Sequence, residues 1–482
     1  MDLFGDIFSS SDSDSDEFEG FEADEVEAAR TRLNGVSYEG FFPDSEDGLE
    51  EMEDETQQWS QNASPVEEPE FIPFGGPKNR PESDSELCFF SLLFTDDVLD
   101  CIVEQTNLYA DQENAGKAKK DPDWFDSNGE PNSITVEELK AFLGVMIMMG
   151  LVKLPHIRDY WSEDEPFFFQ PEIAKVFPRN RFLAIARYLH LNDNTNMPAQ
   201  NDPAHKLFRV KPLVERLENN FMNCFKNYFP DSRFLSIDEA MIKYKGRLSF
   251  IQYMPMKPVK RGIKVYCLCE ATTGFLVKFD IYVGKTNSAG NSTENIVYNL
   301  LDSFQGRNFY TFMDNWFSSI NLFTKLEERG IRACGTLRMN RKGFPQFLKN
   351  ANLQSQGDSA FAQKGNMVLS CWRDKAKNKL VTVVSTMYNA EGDDTVKRRK
   401  KGPDGRMQDI EINRPPNITQ YCKYMGGVDL SDQNRSYYPV QSRRNIKWWK
   451  YIFYFLLDIS IVNSWVLMDA VLGKKTEHLD FR

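Results

Sequence analysis

From Leu87 onward the apolar positions recur with helical spacing. The stretch "FSLLFTDDVLDCIVEQTNLYA" is followed by "SITVEELKAFLGVMIMMGLVKLP", where Thr135 and Glu138 stand as a capping box ahead of an apolar stripe. "NRFLAIARYLHL" and "KPLVERLENNFMNCFKNYF" continue the pattern and predict an all-helical region over residues 87–232. Its Met and Phe stripes read as core. At Arg233 the period drops to two: "RFLSIDEAMIKYKG" and "GIKVYCLCEATTGFLVKFDIYVGK" predict strands, the second folded about a Thr-Thr-Gly turn. A helix near "STENIVYNLLDSF", a strand "NFYTFMDN", a helix "SINLFTKLEERG" and a strand "IRACGTLR" come next. Hairpin strands followed by strand–helix alternation predict an α/β fold, a mixed sheet covered by helices over residues 233–347. Residues 348–416 interrupt that order with a strand-rich segment, "MVLSCWRDKAKNKLVTVVSTMY", and a basic cluster, "KRRKK", open to reading as a nuclear localisation signal or a solvated loop. Residues 417–482 contain "MGGVDLSDQ" and then "RRNIKWWKYIFYFLLDISIVNSWVLMDAV", an amphipathic helix passing into a buried one.

Charge divides the chain differently. The formal net charge is -13, yet residues 1–86 hold 26 acids against 4 bases, leaving 45 acids against 54 bases for the remainder. The head, with "SSSDSDSDEFEGFEADEVEAAR", is too polar and too like-charged to bury a core, so it is expected to be a disordered acidic tail. A basic body suits a polyanion such as nucleic acid, and an acidic tail either competes with that partner or makes a separate contact. No charge-free run of about 18 apolar residues and no basic, apolar leader is present, which argues against a membrane partner or a secretory signal. The eight cysteines are scattered without a Cys-x-x-Cys pair, and four histidines lack His-x-x-x-His spacing, so no zinc site is expected. Cys267 and Cys269 alternate along a strand and read as buried thiols.

Four acids carry the candidate chemistry. Asp238 in "FLSIDE" and Asp314 in "FYTFMDN" are each expected at the end of an apolar strand, where a carboxylate is rigidly held yet faces the sheet edge. Asp429 and Asp432 lie three residues apart after Gly426-Gly427 and would share one face of a helix, although, taken alone, a glycine turn with an acidic helix start is the better explanation. The spacings are 76 residues from Asp238 to Asp314 and 115 from Asp314 to Asp429. Carboxylates converging from such separations repel unless cations lie between them. Hard oxygen donors favour Mg2+ or Mn2+, and two such ions activate a water or 3'-hydroxyl and stabilise the leaving oxygen of a phosphodiester. That chemistry needs neither a histidine base nor a covalent nucleophile.

"SIDEAMIKYKGRLSFIQYMPMKPVKRGIKVYCLCEATTGF", "FMDNWFSS", "CGTLRMNRKGFP" and "MGGVDLSDQ" together resemble the piggyBac family of DDE transposases, in order, over roughly residues 87–470. The resemblance implies a ribonuclease-H-like catalytic core split by an insertion domain and flanked by a helical dimerisation and DNA-binding region. It implies Asp238, Asp314 and Asp429 as the catalytic and metal-binding triad, with Asp432 as an additional acid. The implied activity is cut-and-paste transposition through a nick, a hairpin intermediate and staggered joining into TTAA, by a nuclear homodimer on double-stranded DNA. Tyr253, Lys257, Lys260, Arg261 and Lys264, with Arg338, Arg341 and Lys342, would then border the site and meet phosphates, or remain ordinary surface cations. Trp448, beside Arg443, Arg444 and Lys447, matches an aromatic that supports a flipped or hairpinned end, with Trp449 next to it as an alternative. One departure counts. The sequence stops at Arg482 without the cysteine-rich zinc module usual in the family, which leaves a domesticated DNA-binding protein without transposition, or a chromatin scaffold working through its acidic head, as the other readings.

Overall fold

The computed structural model describes residues 59–75, 81–164, 167–255, 257–284, 292–375, 380–401, 406–440 and 447–482. The helical expectation for the first third is met by α1 (Glu86–Leu93), α2 (Asp96–Asn114), α3 (Val136–Leu151), α4 (Pro171–Val176), α5 (Arg179–Tyr188) and α6 (Lys211–Tyr228). Thr135 caps α3 by accepting from the Glu138 N–H at 3.2 Å. The Glu138 carboxylate turns instead to Arg181 on α5, with bonds of 2.6 and 2.7 Å, so the N-terminal cap and a contact between helices share one residue.

The sheet begins with β1 (Phe234–Lys243), β2 (Gln252–Tyr253), β3 (Arg261–Glu270) and β4 (Leu276–Ile281). Then come α7 (Thr293–Leu301), β5 (Tyr310–Met313), α8 (Ile320–Glu328), β6 (Arg332–Thr336), α9 (Gln346–Lys349), β7 (Ser359–Lys364), β8 (Met367–Trp372) and β9 (Val381–Ser385). Nine strands form one mixed sheet in the order β2-β3-β1-β5-β6-β9-β8-β7, with β4 beside β2 on the outer edge of β3. The hairpin strands β1 and β3 run antiparallel, whereas β1, β5 and β6 are parallel neighbours joined through helices. The strand-rich segment after residue 348 continues this same sheet, because β9 pairs with β6. Among the described residues, only β10 (Thr395–Lys401) and β11 (Met407–Asn413) stand apart, as a two-stranded ribbon. "KRRKK" is therefore strand and not loop, with Lys397 opposite Glu411 and Arg399 opposite Asp409.

α10 (Pro416–Tyr424), α11 (Gly427–Tyr437), α12 (Trp448–Leu472) and α13 (His478–Phe481) complete the chain. α12 is 25 residues long and apolar enough to cross a bilayer by composition. It is instead enclosed by the protein, packing on α1, α6, α11 and β1. A helix apolar on all sides needs partners on all sides. The Asn463 amide, fully buried, serves both backbone groups of Leu276 on β4 at 2.9 Å each, and the Lys450 ammonium donates to the Ala186 carbonyl on α5 at 2.6 Å. One helix thus ties the helical region to the sheet.

The tail boundary needs correction. Residues 59–74, expected within the disordered head of residues 1–86, run as an extended strap along the sheet. Ser60 exchanges backbone bonds with Gln363 of edge strand β7 at 2.9 Å each way, and Glu68 meets Arg233 at 3.2 Å. Phe71 packs edge-on to Phe309 at 5.0 Å, and Phe74 to Phe304 at 5.6 Å. The segment has no helical or strand period to betray it, only aromatic anchors spaced along a polar chain. Residues 1–58 lie outside the described residues.

His190, 1% exposed, stacks on Tyr109 of α2 at 4.1 Å and meets the edge of Trp449 of α12 at 5.3 Å. Burial holds its ring pKa down at about 4, below an unfolded value of about 6.5. Folding therefore favours the neutral ring: its stabilisation is complete above pH ~6.5 and is lost as pH falls towards 4. At ~1.36 kcal/mol per unit the loss is on the order of 3 kcal/mol. Urea unfolding between pH 7 and 4 should show this decline, and His190→Gln should flatten it by one histidine's share, His478 being held down likewise.

Candidate active site

The parallel ladder between β1 and β5 ends at the pair Ile237 and Met313. The next residues on the two strands are Asp238 and Asp314, so neighbouring strands deliver two carboxylates side by side. Asp238 is 5% exposed. Its Oδ1 accepts the Glu239 N–H at 2.8 Å and its Oδ2 faces the Lys257 ammonium at 3.1 Å. Asp314 lies just past β5, where its Oδ1 accepts the Trp316 N–H at 2.8 Å.

The third acid comes from α11. Asp429 occupies the first turn of that helix, and α11 packs on β1 and β3. The glycine pair before it works differently from the tight turn expected of it. Gly426 has ordinary negative φ and open space around it. Gly427 is the constrained position: a Cβ there would collide with the Ser236 hydroxyl and come within 2.9 Å of the Ala271 Cα and 3.1 Å of the Glu270 carbonyl. Its missing side chain lets the helix start press onto the sheet two residues before Asp238. Asp432 follows one turn later, bonded to Arg435 at 3.1 Å and lining a small cavity with Cys267, Cys269 and Ser431 between α11 and β3.

Electrostatics join what the elements bring near. Burial and then the Asp238 charge raise the pKa of Asp314, and the same two causes raise that of Asp429, with Asp432 adding to the latter. Burial opposes the Lys257 ammonium, but Asp238 outweighs it, with Glu239 and Asp429 behind, and holds its pKa above the ordinary value. Lys257 is thus the cation this acid cluster carries from its own chain. Among the described residues no three acids, histidines or cysteines are drawn into a ready-made cation cage. In kind the donors fit a hard divalent ion: they are all oxygen, mutually repelling, and already balanced by an ammonium at Asp238.

The expected basic residues separate into groups. Tyr253, 66% exposed on β2, lies with exposed Lys260 and Arg261 at the hairpin, and Lys342 is exposed after β6. Arg338 and Arg341 reach across to the residues after Asp314: Arg338 Nε donates to Asn315 Oδ1 at 3.0 Å, and Arg341 Nη2 donates to the carbonyls of Asn315 and Trp316 at 3.1 and 3.3 Å. Lys264 is buried, 3.8 Å from Glu239. Lys447 donates to the Tyr109 hydroxyl at 3.3 Å. Trp448 is half-buried, edge-on to Phe250 at 5.6 Å, and Trp449 is core at 1% exposure. Arg443 and Arg444 lie outside the described residues. Sequence reading missed Glu239, whose carboxyl is pushed up first by burial and next by Asp238. The Asp-Glu dipeptide on a buried strand was its visible signal.

Comparison with known proteins follows the same outline. A family model described as Transposase IS4, of the DDE type, matches residues 85–465. This chain belongs to the piggyBac transposase family. Human piggyBac transposable element-derived protein 2 is 28% identical over 395 residues, covering 80% of this chain and 61% of the relative. Human piggyBac transposable element-derived protein 5 is 27% identical over 441 residues, covering 87% and 78%. The chain thus spans about three fifths of the length of the first of these piggyBac relatives. A cryo-EM structure of a piggyBac transposase synaptic complex with hairpin DNA superposes with a TM-score of 0.67 at 24% identity, covering 83% of this chain and 79% of that one, and shares the fold.

The packing at Gly427 separates the two glycines. Gly427→Ala should lower the unfolding free energy by about 1–3 kcal/mol, as overpacking does, and displace Asp429. Gly426→Ala should stay within about 0.5 kcal/mol of the parent. Equal effects in denaturant melts would refute the close-approach role.

Proposed function

We propose that this chain is a piggyBac-type DDE transposase core that cuts and rejoins DNA strands with divalent metal at TTAA sites. The observation that carries it is the meeting of Asp238, Asp314 and Asp429, from two adjacent strands and one helix start, in one electrostatic neighbourhood. The order β4-β3-β1-β5-β6, with an antiparallel hairpin beside three parallel strands, supports a ribonuclease-H-like reading of the core. DNA as partner is supported by the basic body and by the hairpin DNA in the structural relative's complex. A homodimer in the nucleus agrees with the need to hold two DNA ends together.

Asp238, Asp314 and Asp429 would hold Mg2+ or Mn2+, with Asp432 as an outer acid. Bound there, the metal supplies an activated water or 3'-hydroxyl and stabilises the departing oxygen of the phosphodiester. The chain's own residues do the rest. The Trp316 N–H orients the Asp314 carboxylate. Lys257, whose ammonium lies 3.1 Å from Asp238 Oδ2, would offer it to a phosphate oxygen, and exposed Tyr253, Lys260, Arg261 and Lys342 would extend that positive border. The second reading is a domesticated DNA-binding protein without transposition, favoured by the human relatives being named as transposable element-derived.

The deciding experiment is Mg2+- or Mn2+-dependent nicking and hairpin formation on duplexes carrying TTAA beside the terminal repeats. Asp314→Asn should lower nicking by a factor on the order of 100 or more, the scale of losing one preorganised electrostatic group, and leave DNA binding intact. Asp429→Asn should be more damaging than Asp432→Asn, whose carboxylate is bonded to Arg435. Binding without cleavage in the parent chain would select the domesticated reading.

A further inference from the structure

Lys264 was expected to meet phosphate, yet it is 8% exposed and surrounded by rings. Its Nζ lies 4.5 Å from the Tyr266 ring centroid, 4.6 Å from that of Trp316 and 5.2 Å from that of Tyr282. Glu239 Oε1 is 3.8 Å away. The Tyr266 and Trp316 rings are stacked, 5.6 Å apart at 14°. An ammonium set against three aromatic rings and one carboxylate has exchanged its water for fixed partners. One of those partners is the residue whose main-chain N–H orients Asp314 at 2.8 Å.

We propose that Glu239, Lys264 and Trp316 act as one positioning unit for Asp314, and that Lys264 is not a phosphate contact. The inference rests on the transposase reading and deepens it. Glu239 fixes the Lys264 ammonium, the ammonium and Tyr266 fix the Trp316 ring, and the ring fixes the peptide that holds the carboxylate. From the other side, Arg341 holds the Asn315 and Trp316 carbonyls and Arg338 the Asn315 side chain. The turn after β5 is therefore clamped at its backbone and at its ring. Removing either member of the buried pair leaves the other without its partner, so the two single variants should disturb the same element.

The test uses the full chain as Lys264→Met, Glu239→Gln and the double variant. Nicking is measured at saturating metal and DNA, and DNA affinity is measured in chelator across a salt series. Each single variant should lower kcat about tenfold through misplacement of a reacting group. The double variant should lower it by about the same factor and not about a hundredfold, because the two residues act as a unit. DNA affinity and its salt slope should match the parent. A phosphate contact would reduce that slope by about one, and such a reduction in Lys264→Met would overturn the proposal. So would multiplicative losses in the double variant, or an unchanged kcat with a lowered melting temperature, which would mark a mere packing pair. If Lys264→Met fails to fold, Glu239→Gln and the double variant, which buries no unpaired charge, carry the same comparison. A parent chain that binds DNA without nicking overturns the transposase reading itself, and that control is read before any variant.

Discussion

Carboxylates gathered on one sheet repel one another, and the packing around Asp238, Asp314 and Asp429 is arranged against that repulsion. Each acid has a counterweight, and Lys257 serves two of them. Asp238 has the Lys257 ammonium at 3.1 Å, Asp314 has the Trp316 N–H, and Asp432 has Arg435. Asp429 has Lys257 only at longer range. Such counterweights moderate the repulsion without removing it, since burial and Asp238 still lift Asp314 and Asp429 above the ordinary carboxylate range.

Rigid surroundings are what keep the acids from relaxing apart. Two of them are fixed by adjacent strands in a single parallel register, and the third by a helix start that only glycine at 427 allows to lie so close. Behind α11 lies α12, enclosed on all sides, bonded to β4 through Asn463 and to α5 through Lys450. Burial lowers the Lys450 ammonium well below its ordinary range, and its bond to the Ala186 carbonyl helps hold the group there.

Much of this was legible in the sequence where periodicity carries it. The change of period at Arg233 marks the passage from helices to sheet, and the apolar strands running into Asp238 and Asp314 point to the paired acids, although β1 does not end at Asp238 as expected but continues to Lys243. Other features have no periodic signature. The strap of residues 59–74 docks through Phe71 and Phe74, spaced for no regular element, and so reads as part of the acidic head. Gly427 looks like a turn glycine because sequence shows flexibility more readily than a distant Ser236 hydroxyl. "KRRKK" looks like a loop or signal because the acids that pair it, Asp409 and Glu411, lie ten residues or more along the chain.

The cations show most clearly what sequence cannot separate. On the page Lys257, Lys264, Arg338, Arg341, Lys260, Arg261 and Lys342 are equivalent positive charges near motif residues. In the fold Lys257 touches a carboxylate, Lys264 is enclosed by rings, and Arg338 and Arg341 hold the turn after Asp314. Lys260, Arg261 and Lys342 remain turned to solvent. Counterion release is a property of charges that meet phosphate from water, so under the proposed function the exposed residues are the ones to meet DNA and the enclosed ones to hold geometry. Burial and hydrogen bonding decide between the two roles, and both depend on residues far away in sequence, such as Glu239 for Lys264 and Asn315 for Arg338. A basic surface around an acidic centre is thus two nested layers, an outer one that attracts a polyanion and an inner one that keeps the acids in place.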